Sequence, residues 1–410
     1  MPEGSVTSPK GFLASGVHAG LKDDGSADFA LLVSQHPCTA AGVFTQNRVR
    51  AAPVVYDESV LNERPGRLRG VVMNARVANA CTGEQGLAAA ADMARAAEAA
   101  LQLPARSMLV LSTGVIGVPL PMDKIAAGIA AAGPRMTADG GVSAARAIMT
   151  TDTRPKHCAV RVEAAAGAVT VGGIAKGAGM IHPNMATMLA ILTTDAAVDV
   201  GTLREVLRRV ADRTFNAITV DGDTSTNDTV LLLANGASGV TLARDHEAGR
   251  AFEEAVAHVA RELALMIVRD GEGATRFVEI TISGASTESL ARDVGRAIAR
   301  SSLVKTAVAG GDPNWGRILA AAGAGGFPIV PERLRLAVRR HGDGGGSGGG
   351  WIVLAAGGAA ASYDESAARA VFASPEIAIR LDLGMGGAEA TVWTCDLSEQ
   401  YIRINAHYRS

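Results

Sequence analysis

The chain has 410 residues, of which 48% are hydrophobic and 20% charged, and its formal net charge is −2 at pH 7. That length allows a large core in two lobes, and the balanced charge argues against proteins that bind nucleic acid or anionic membranes through basic patches. The sequence lacks a secretory signal pattern and an apolar membrane-spanning stretch, and its four cysteines are too scattered for a disulfide framework or a zinc site. The expectation is a soluble, cytoplasmic protein with no nucleic-acid or membrane partner.

Short runs of aliphatic and β-branched residues predict strands along most of the chain. In chain order they cover 28–34, 41–46, 69–75, 107–113, 187–194, 216–222, 228–236, 276–284, 334–340, 351–358, 376–384 and 388–397. Helical patterns cover Glu84–Leu101, Thr202–Thr214, His246–Val268, Glu288–Arg300 and Asp364–Phe372. The helices fall between clusters of strands rather than after each strand, which predicts an α+β fold with mixed or antiparallel sheets.

Two segments resemble known motifs but lack their context. The low-complexity run His341–Gly350, HGDGGGSGGG, matches G-x-S-x-G and G-x-G-x-x-G by composition alone and is typical of an extended hairpin loop. Asp221–Leu232 begins like a calcium-binding EF-hand loop, but Thr226 replaces the required glycine and Leu232 the required glutamate. The sequence therefore predicts no metal site.

The stretch Lys176–Ala196, KGAGMIHPNMATMLAILTTDA, places a glycine-rich loop before an apolar run that is typical of a buried strand. Thr187 opens that run and follows the small residue Ala186. A threonine hydroxyl is activated by an adjacent base, and its own α-amino group is such a base once the preceding peptide bond is cut. The ordinary pKa of that amine is about 7.7–8.0, so it can accept the hydroxyl proton near neutral pH. The alternative is a β-branched residue that merely begins a strand.

A second candidate lies in VLSTGVIG, residues Val110–Gly117, where a strand runs into Thr113, Gly114 and a turn. A glycine amide beside a hydroxyl at a strand end is a suitable pair of donors for a developing oxyanion. An ordinary Ser/Thr/Gly turn is the alternative interpretation.

Together these segments closely resemble the ornithine acetyltransferase family, the bifunctional glutamate N-acetyltransferase/amino-acid acetyltransferase or ArgJ family. The resemblance continues, in order, through STGVIG, IMTTDTRPK, RTFNAITVDGDTSTNDT, RDGEGATRFVEI, SLVKTAVAGGDPNWGRILAA and YIRINAHYRS. It implies a layered α+β sandwich of the N-terminal-nucleophile type (DmpA/ArgJ-like) whose chain cleaves itself between Ala186 and Thr187. The fragments are an α chain, 1–186, with the oxyanion-hole lobe, and a β chain, 187–410, with the nucleophile, the substrate pocket and a C-terminal lobe.

The resemblance also implies roles for individual residues. Thr187 becomes the acetyl-carrying nucleophile, and Thr113 and Gly114 form the oxyanion hole. The implied substrate-binding residues are Thr150, Lys176, Thr187, Glu272, Asn405 and Ser410, with Thr151 and Thr153 as alternatives to Thr150. The glycine-rich insertion at Asp343–Gly350 and His407 depart from the family pattern, and His407 affects only the expected substrate preference.

The implied reaction is a ping-pong transfer of acetyl from N-acetylornithine to glutamate in arginine biosynthesis. The implied enzyme needs no cofactor, with acetyl-coenzyme A as a possible alternative donor, and its αβ heterodimers assemble into a higher oligomer. Two alternatives remain open at this point: an N-terminal-nucleophile amidase or aminopeptidase that uses water as acceptor, and a secondary-metabolism paralogue that acts on a modified ornithine.

Overall fold

The computed structural model describes the whole chain except residues 2, 165–166, 183–187, 243–246, 343–349 and 408–410. The chain divides into two compact units, one formed by Met1–Asn216 with Asp223–Ile267 and the other by Ala217–Gly222 with Val268–Ser410. These two units are defined by which residues pack together. The predicted division into fragments 1–186 and 187–410 is different, because it concerns a cut in the main chain, and it stays a prediction.

The described strands and helices occur in the following order along the chain. The strands are β1 Phe12–Val17, β2 Phe29–Phe44, β3 Leu68–Asn74, β4 Met108–Ser112, β5 Lys156–Ala164, β6 Gly167–Lys176, β7 Leu189–Thr194, β8 Ala197–Val198, β9 Ile218–Thr219, β10 Thr229–Ala234, β11 Thr241–Leu242, β12 Phe277–Ala285, β13 Arg335–Arg340, β14 Ile352–Ala356, β15 Ala359–Ala360, β16 Glu376–Asp382 and β17 Ala388–Cys395. The helices are α1 Ala52–Glu63, α2 Gly83–Ala100, α3 Met122–Ala132, α4 Gly141–Ala147, α5 Val200–Arg213, α6 Glu247–Arg269, α7 Glu288–Ala299, α8 Ser302–Ala309, α9 Trp315–Ala324, α10 Glu365–Phe372 and α11 Glu399–Ala406. Short 3₁₀ helices lie at Gly133–Arg135, Phe215–Ala217 and Pro331–Arg333.

The first unit is built on an eight-stranded sheet with the order β4-β3-β2-β10-β7-β6-β5, and β1 also pairs with β2. The long strand β2 pairs with β1 and β3 over Phe29–Val33, again with β3 at Cys38, and with β10 over Thr39–Phe44, so one strand belongs to two parts of the sheet. β7 and β10 are parallel neighbours, and every residue of both strands is buried. Strands covered on both faces read as continuous apolar runs, which explains the sequences LAILTT and TVLLLA.

The second unit contains a seven-stranded sheet with the order β15-β14-β13-β16-β12-β17-β9. Helix α7 packs on β12 and β17 through Ala291, Val294 and Ile298, which recur at helical spacing and are buried. The Thr287 side chain caps this helix by accepting from the Leu290 N–H at 3.1 Å. β13 and β14 pair antiparallel, which confirms the predicted hairpin, although residues 343–349 of its loop lie outside the described residues.

The predicted α+β class with mixed sheets and intervening helices is confirmed. The five predicted helices appear as α2, α5, α6, α7 and α10, while the runs 28–34 and 41–46 prove to be parts of one strand, β2. The sequence patterns did not predict β1, β5, β6 or the helices α1, α3, α4, α8, α9 and α11. No helix in the described parts of the chain is long and apolar enough to cross a bilayer.

Candidate active site

The predicted nucleophile belongs to the loop before β7. Ala186 and Thr187, the predicted cleavage pair, lie outside the described residues, as does Ser410. Met188, the next residue, is buried, and its backbone N–H donates to Asp228 Oδ1 over 2.9 Å. Because β7 and β10 run parallel from here, Asp228, which precedes β10, lies beside Met188, which precedes β7.

Thr113 and Gly114 form a fixed bend directly after β4. The Thr113 N–H donates to the Asn74 carbonyl at 3.1 Å and the Val115 N–H donates to the Arg76 carbonyl at 2.9 Å, so main-chain bonds hold both sides of Gly114. The φ angle of Gly114 is 134°, and a Cβ atom there would overlap the Arg76 carbonyl, so the position requires glycine. Within the described part of the chain, the Gly114 N–H makes no main-chain hydrogen bond. The bend therefore places the Thr113 hydroxyl beside the Gly114 N–H, which no main-chain carbonyl of the described residues accepts. An oxyanion site needs such a pair of donors.

Thr150 and Lys176 are brought together by Asp152, a residue that the sequence analysis did not single out. The Thr150 N–H donates to Asp152 Oδ2 at 3.0 Å, and the Gly177 N–H donates to Oδ1 at 2.7 Å. Lys156 Nζ donates to Oδ1 at 2.6 Å, while Lys176 Nζ lies 3.9 Å from Oδ2. One carboxylate thus ties the loop at Thr150 to the end of β6.

Two lysines flank the carboxylate at the centre of this cluster. Asp152, Lys156 and Lys176 are all buried. Burial acts to raise the pKa of Asp152, but Lys176, Lys156 and the Gly177 N–H outweigh it and lower that pKa. Asp152 is therefore ionised at neutral pH, and both lysines lie within ion-pair distance of it. A lysine ammonium held in this way can also pair with the carboxylate of a bound ligand.

Glu272 and Asn405 meet in the second unit. Asn405 Nδ2 donates to Glu272 Oε2 at 2.8 Å, and Tyr401 Oη donates to Asp221 Oδ2 at 3.2 Å, so two side chains of α11 bond to carboxylates. Glu272 is only 7% exposed. The adjacent Gly273 has a φ of 69°, and a Cβ atom there would lie 2.5 Å from the Tyr401 nitrogen. This close approach holds the Glu272 turn against the start of α11.

Six described residues of the predicted site fall into three groups. Thr113 and Gly114 share one bend, Thr150 and Lys176 share the Asp152 cluster, and Glu272 and Asn405 share a hydrogen bond. The overlooked residues Asp152 and Lys156 lie in the segment TTDTRPK, where an acid and a base at i and i+4 are a weak sign of an ion pair.

Comparison with known proteins gives matches over nearly the whole chain. The family model described as the ArgJ family matches residues 13–410. The chain is 50% identical over 410 residues to the arginine biosynthesis bifunctional protein ArgJ of Symbiobacterium thermophilum, with 99% of each chain covered. It is 45% identical over 412 residues to the protein of the same name from Thermotoga neapolitana, with 98% of this chain and 99% of the relative covered.

A solved structure of ornithine acetyltransferase complexed with ornithine, from Mycobacterium tuberculosis, is also similar. The identity is 44% and the TM-score 0.42, and the match covers 45% of this chain and 96% of that one.

Proposed function

Because the chain belongs to the ArgJ family, we propose that it transfers the acetyl group of N-acetyl-L-ornithine to L-glutamate in arginine biosynthesis. The predicted family membership is confirmed, and the protein is an acyltransferase of this family. The observation that carries the proposal is the full-length match to relatives named arginine biosynthesis bifunctional protein. The bend at Thr113 and Gly114 and the two buried lysines beside Asp152 support it.

Maturation comes first in this proposal. The Thr187 hydroxyl attacks the Ala186 carbonyl, the peptide becomes an ester, and water hydrolyses that ester. The products are fragments 1–186 and 187–410, the second with a free threonine amine. That amine has an ordinary pKa near neutrality, so it serves as the base that a threonine nucleophile requires.

Acetyl transfer then proceeds in two half-reactions. The Thr187 amine takes the hydroxyl proton while Oγ1 attacks the acetyl carbonyl of N-acetylornithine, and the Thr113 hydroxyl and Gly114 amide donate to the oxyanion. The proton passes to the departing ornithine nitrogen, which leaves an acetyl ester on Thr187. The glutamate amine attacks this ester, and its proton returns through the same amine to the threonine oxygen.

The remaining residues orient the substrates. Ornithine and glutamate share an α-carboxylate, for which Lys176 supplies an ammonium from its buried cluster with Lys156 and Asp152. Glu272, buried and bonded to Asn405, offers a carboxylate for the ornithine ammonium. The family resemblance also gives Ser410, which lies outside the described residues, a role in substrate binding.

The relatives are named bifunctional, which favours a second reaction that uses acetyl-coenzyme A as the donor to glutamate. The proposed enzyme otherwise needs no cofactor and acts in the cytoplasm. Its αβ heterodimers assemble into a higher oligomer.

The deciding experiment is an assay for ornithine release from N-acetylornithine, with and without glutamate. Release that depends on glutamate, with N-acetylglutamate formed in equal amount, is expected. Release at the same rate without glutamate would show an amidase and overturn the proposal. A parallel assay with acetyl-coenzyme A as the only donor tests the second reaction.

Processing is tested by intact-mass measurement. Wild-type protein should contain fragments 1–186 and 187–410, and Thr187→Ala should remain one inactive chain because alanine has no hydroxyl. Thr187→Ser, which keeps the hydroxyl, is the matched control and should be cut. An uncut wild-type chain with full activity would disprove the mechanism.

A further inference from the structure

Asp228 reaches the peptide group that follows the proposed nucleophile. It directly precedes β10, is completely buried, and accepts the Met188 N–H through Oδ1 at 2.9 Å. That N–H belongs to the peptide bond between Thr187 and Met188. The Thr229 N–H returns a bond to the Met188 carbonyl at 3.2 Å. Met188 is therefore held on both sides of its backbone.

The preceding residue, Asn227, reaches the proposed oxyanion bend. Its Nδ2 donates to the Ser112 carbonyl at 2.9 Å and to the Ala78 carbonyl at 2.6 Å. The Ser112 carbonyl belongs to the peptide bond that leads into Thr113. Ala78 belongs to the loop that pairs with the bend, since its N–H donates to the Val115 carbonyl at 3.0 Å. A single amide group thus fixes both segments that shape the bend.

The main chain around these two residues is itself clamped. The Thr45 N–H donates to the Asp228 carbonyl at 3.0 Å, and the Ala51 N–H donates to the Thr226 carbonyl at 2.9 Å. Thr226 Oγ1 donates to Asn227 Oδ1 at 2.6 Å, which orients the amide with Nδ2 toward its two carbonyl acceptors. Asn227 and Asp228 are adjacent in the chain. Their contacts therefore fix the distance between Met188 and the bend at Thr113 and Gly114.

The charge state of Asp228 matches a positioning role. Burial raises the pKa of its carboxyl well above the ordinary range, although the Met188 N–H and the Lys176 ammonium act in the opposite direction. Its Oδ2 is buried and has no hydrogen-bond partner among the described residues. A neutral carboxyl still accepts the Met188 N–H, and asparagine is its closest uncharged equivalent.

We propose that Asn227 and Asp228 are positioning residues that set the separation between Met188, the residue covalently next to the proposed nucleophile, and the bend at Thr113 and Gly114, which carries the proposed oxyanion donors. Asp228 acts through the Met188 amide, and Asn227 acts through the Ser112 and Ala78 carbonyls. The proposal rests on the proposed function, which supplies the roles of Thr187, Thr113 and Gly114. Misplacement of a reacting group by about 1 Å costs on the order of 10²-fold in rate, so this separation is a direct determinant of kcat.

The test uses the full chain with Asp228→Ala, Asp228→Asn and Asn227→Ala. For each variant the fraction cleaved is measured by intact mass, the Tm by thermal unfolding, and kcat and KM per cleaved molecule by glutamate-dependent transfer. We expect Asp228→Ala to slow cleavage and to lower kcat about 10²-fold, and Asn227→Ala to lower kcat about 10- to 100-fold. KM should change less than about threefold, because substrate contacts remain. Asp228→Asn should restore kcat to within about tenfold of wild type.

Asp57 provides the matched control. It is another completely buried aspartate, one oxygen of which accepts a strand amide, the Val110 N–H at 2.8 Å, while the other has no partner among the described residues. Asp57→Ala should lower the Tm as Asp228→Ala does but leave kcat per cleaved molecule near the wild-type value. An equal loss of kcat in Asp57→Ala would show that the effect is general destabilisation and would overturn the proposal.

The remaining outcomes also test the positioning role of Asn227 and Asp228. Unchanged kcat in folded Asp228→Ala and Asn227→Ala would overturn the positioning role, while the activity of the wild-type chain would leave the proposed function intact. If Asp228→Ala does not fold, the kcat of Asn227→Ala decides in the same way. A wild-type chain that transfers no acetyl group contradicts the proposed function itself and is recognised before any variant is compared.

Discussion

Three buried aspartates differ in the direction in which their surroundings shift the pKa of the carboxyl group. Asp152 has two lysines and two backbone amides around it, and its pKa is lowered. Asp57 accepts the Val110 N–H and Asp228 accepts the Met188 N–H, and burial raises the pKa of both. The same side chain is therefore an anion flanked by two lysines at one position, while at the other two burial favours its protonated form.

At Thr113 the expected effect is on the transition state. Thr113→Ala removes one of the two proposed oxyanion donors, and we expect kcat to fall about 10²- to 10³-fold. KM for N-acetylornithine should change little, because the oxyanion exists only in the transition state. Steady-state kinetics with Thr113→Ser as the control, which keeps the hydroxyl, measures this difference. A change confined to KM would make Thr113 a substrate-binding residue instead.

At Glu272 the expected effect is on specificity. Glu272→Gln keeps an oxygen that can accept from Asn405 but removes the charge proposed to pair with the ornithine ammonium. Loss of a buried charge pair costs about 2–5 kcal/mol, so kcat/KM for N-acetylornithine should fall at least about 30-fold. Use of glutamate should be less affected, because removal of the carboxylate also removes a like-charge repulsion.

The control for this specificity effect is Glu399→Gln. Glu399 lies on α11, as Asn405 does, but its side chain is 91% exposed. This variant should leave both substrates unaffected. Equal losses for both substrates in Glu272→Gln would show that Glu272 contacts the α-amino group that they share.

The sequence pointed to Thr113 and Gly114 through the strand and turn around them and to Lys176 through the family resemblance, and their roles stay predictions. It was not sufficient for Asp152, Asn227 or Asp228. Each of these acts through contacts far away in the chain, such as the bond between Asn227 and Ser112, which joins residues 115 positions apart. Such contacts depend on which strands become neighbours, and no local pattern encodes that choice.

Among the elements, β4 illustrates how an edge strand is covered. It is the terminal strand of the first sheet, and helices α1 and α2 pack beside it. Asp57 on α1 accepts the Val110 N–H at 2.8 Å, and Glu98 on α2 accepts the Ser107 and Met108 N–H groups at 2.8 and 3.0 Å. Carboxyl groups thus occupy donors that would otherwise be available to a further strand.

This cover makes the stability of the first unit depend on pH. Because the pKa of Asp57 is raised in the folded chain, the unfolded state releases this proton first and the free energy of unfolding falls as pH rises. Asparagine cannot ionise. We expect Asp57→Asn to gain stability relative to the unsubstituted chain as pH rises from about 4, the ordinary pKa of aspartate, towards the raised pKa of the folded chain, by about 1.4 kcal/mol for each pH unit within that window.

Urea unfolding of the uncut Thr187→Ala chain, with and without Asp57→Asn, measures this gain. The exposed Asp23→Asn serves as the control and should show a difference that does not change with pH. A constant difference for Asp57→Asn as well would contradict the prediction.

The elements that the sequence patterns missed have physical explanations. β6 contains Gly172 and Gly173, which weaken a strand pattern, yet a Cβ atom at Gly172 would overlap the Ser5 carbonyl, so the close approach of the N-terminal segment requires glycine. Helix α1 begins at Ala52 with no side-chain cap and buries residues on several sides, so it lacks the one-sided periodicity that revealed α7.

For the molecule as a whole, the position of the proposed cut is informative. β7 and β10 belong to fragment 187–410, but they lie between β2 and β6 of fragment 1–186. Residues Leu189–Thr194 pair with Val171–Lys176 on one side, and Thr229–Ala234 pair with Thr39–Phe44 on the other. The fragments therefore share one sheet and one hydrophobic core.

We expect the two fragments to stay together after cleavage. Cut wild-type protein should elute from gel filtration in native buffer at the same volume as uncut Thr187→Ala, because separation would break both ladders and expose the core. The fragments should separate only in urea. Elution of fragment 1–186 alone in native buffer would contradict this shared sheet.

The shared sheet also affects whether the protein can refold after the proposed cut. The intact chain folds as one molecule, and its strands find each other at the high effective concentration that a covalent link provides. After the proposed cut, reassembly would require an encounter between two separate chains, each of which exposes half of a core and is prone to aggregate. We therefore expect unfolding of the cut protein to be practically irreversible, so that its lifetime is set by the height of its unfolding barrier rather than by an equilibrium. The proposed self-cleavage would thus supply a reactive amine and remove the ability to refold.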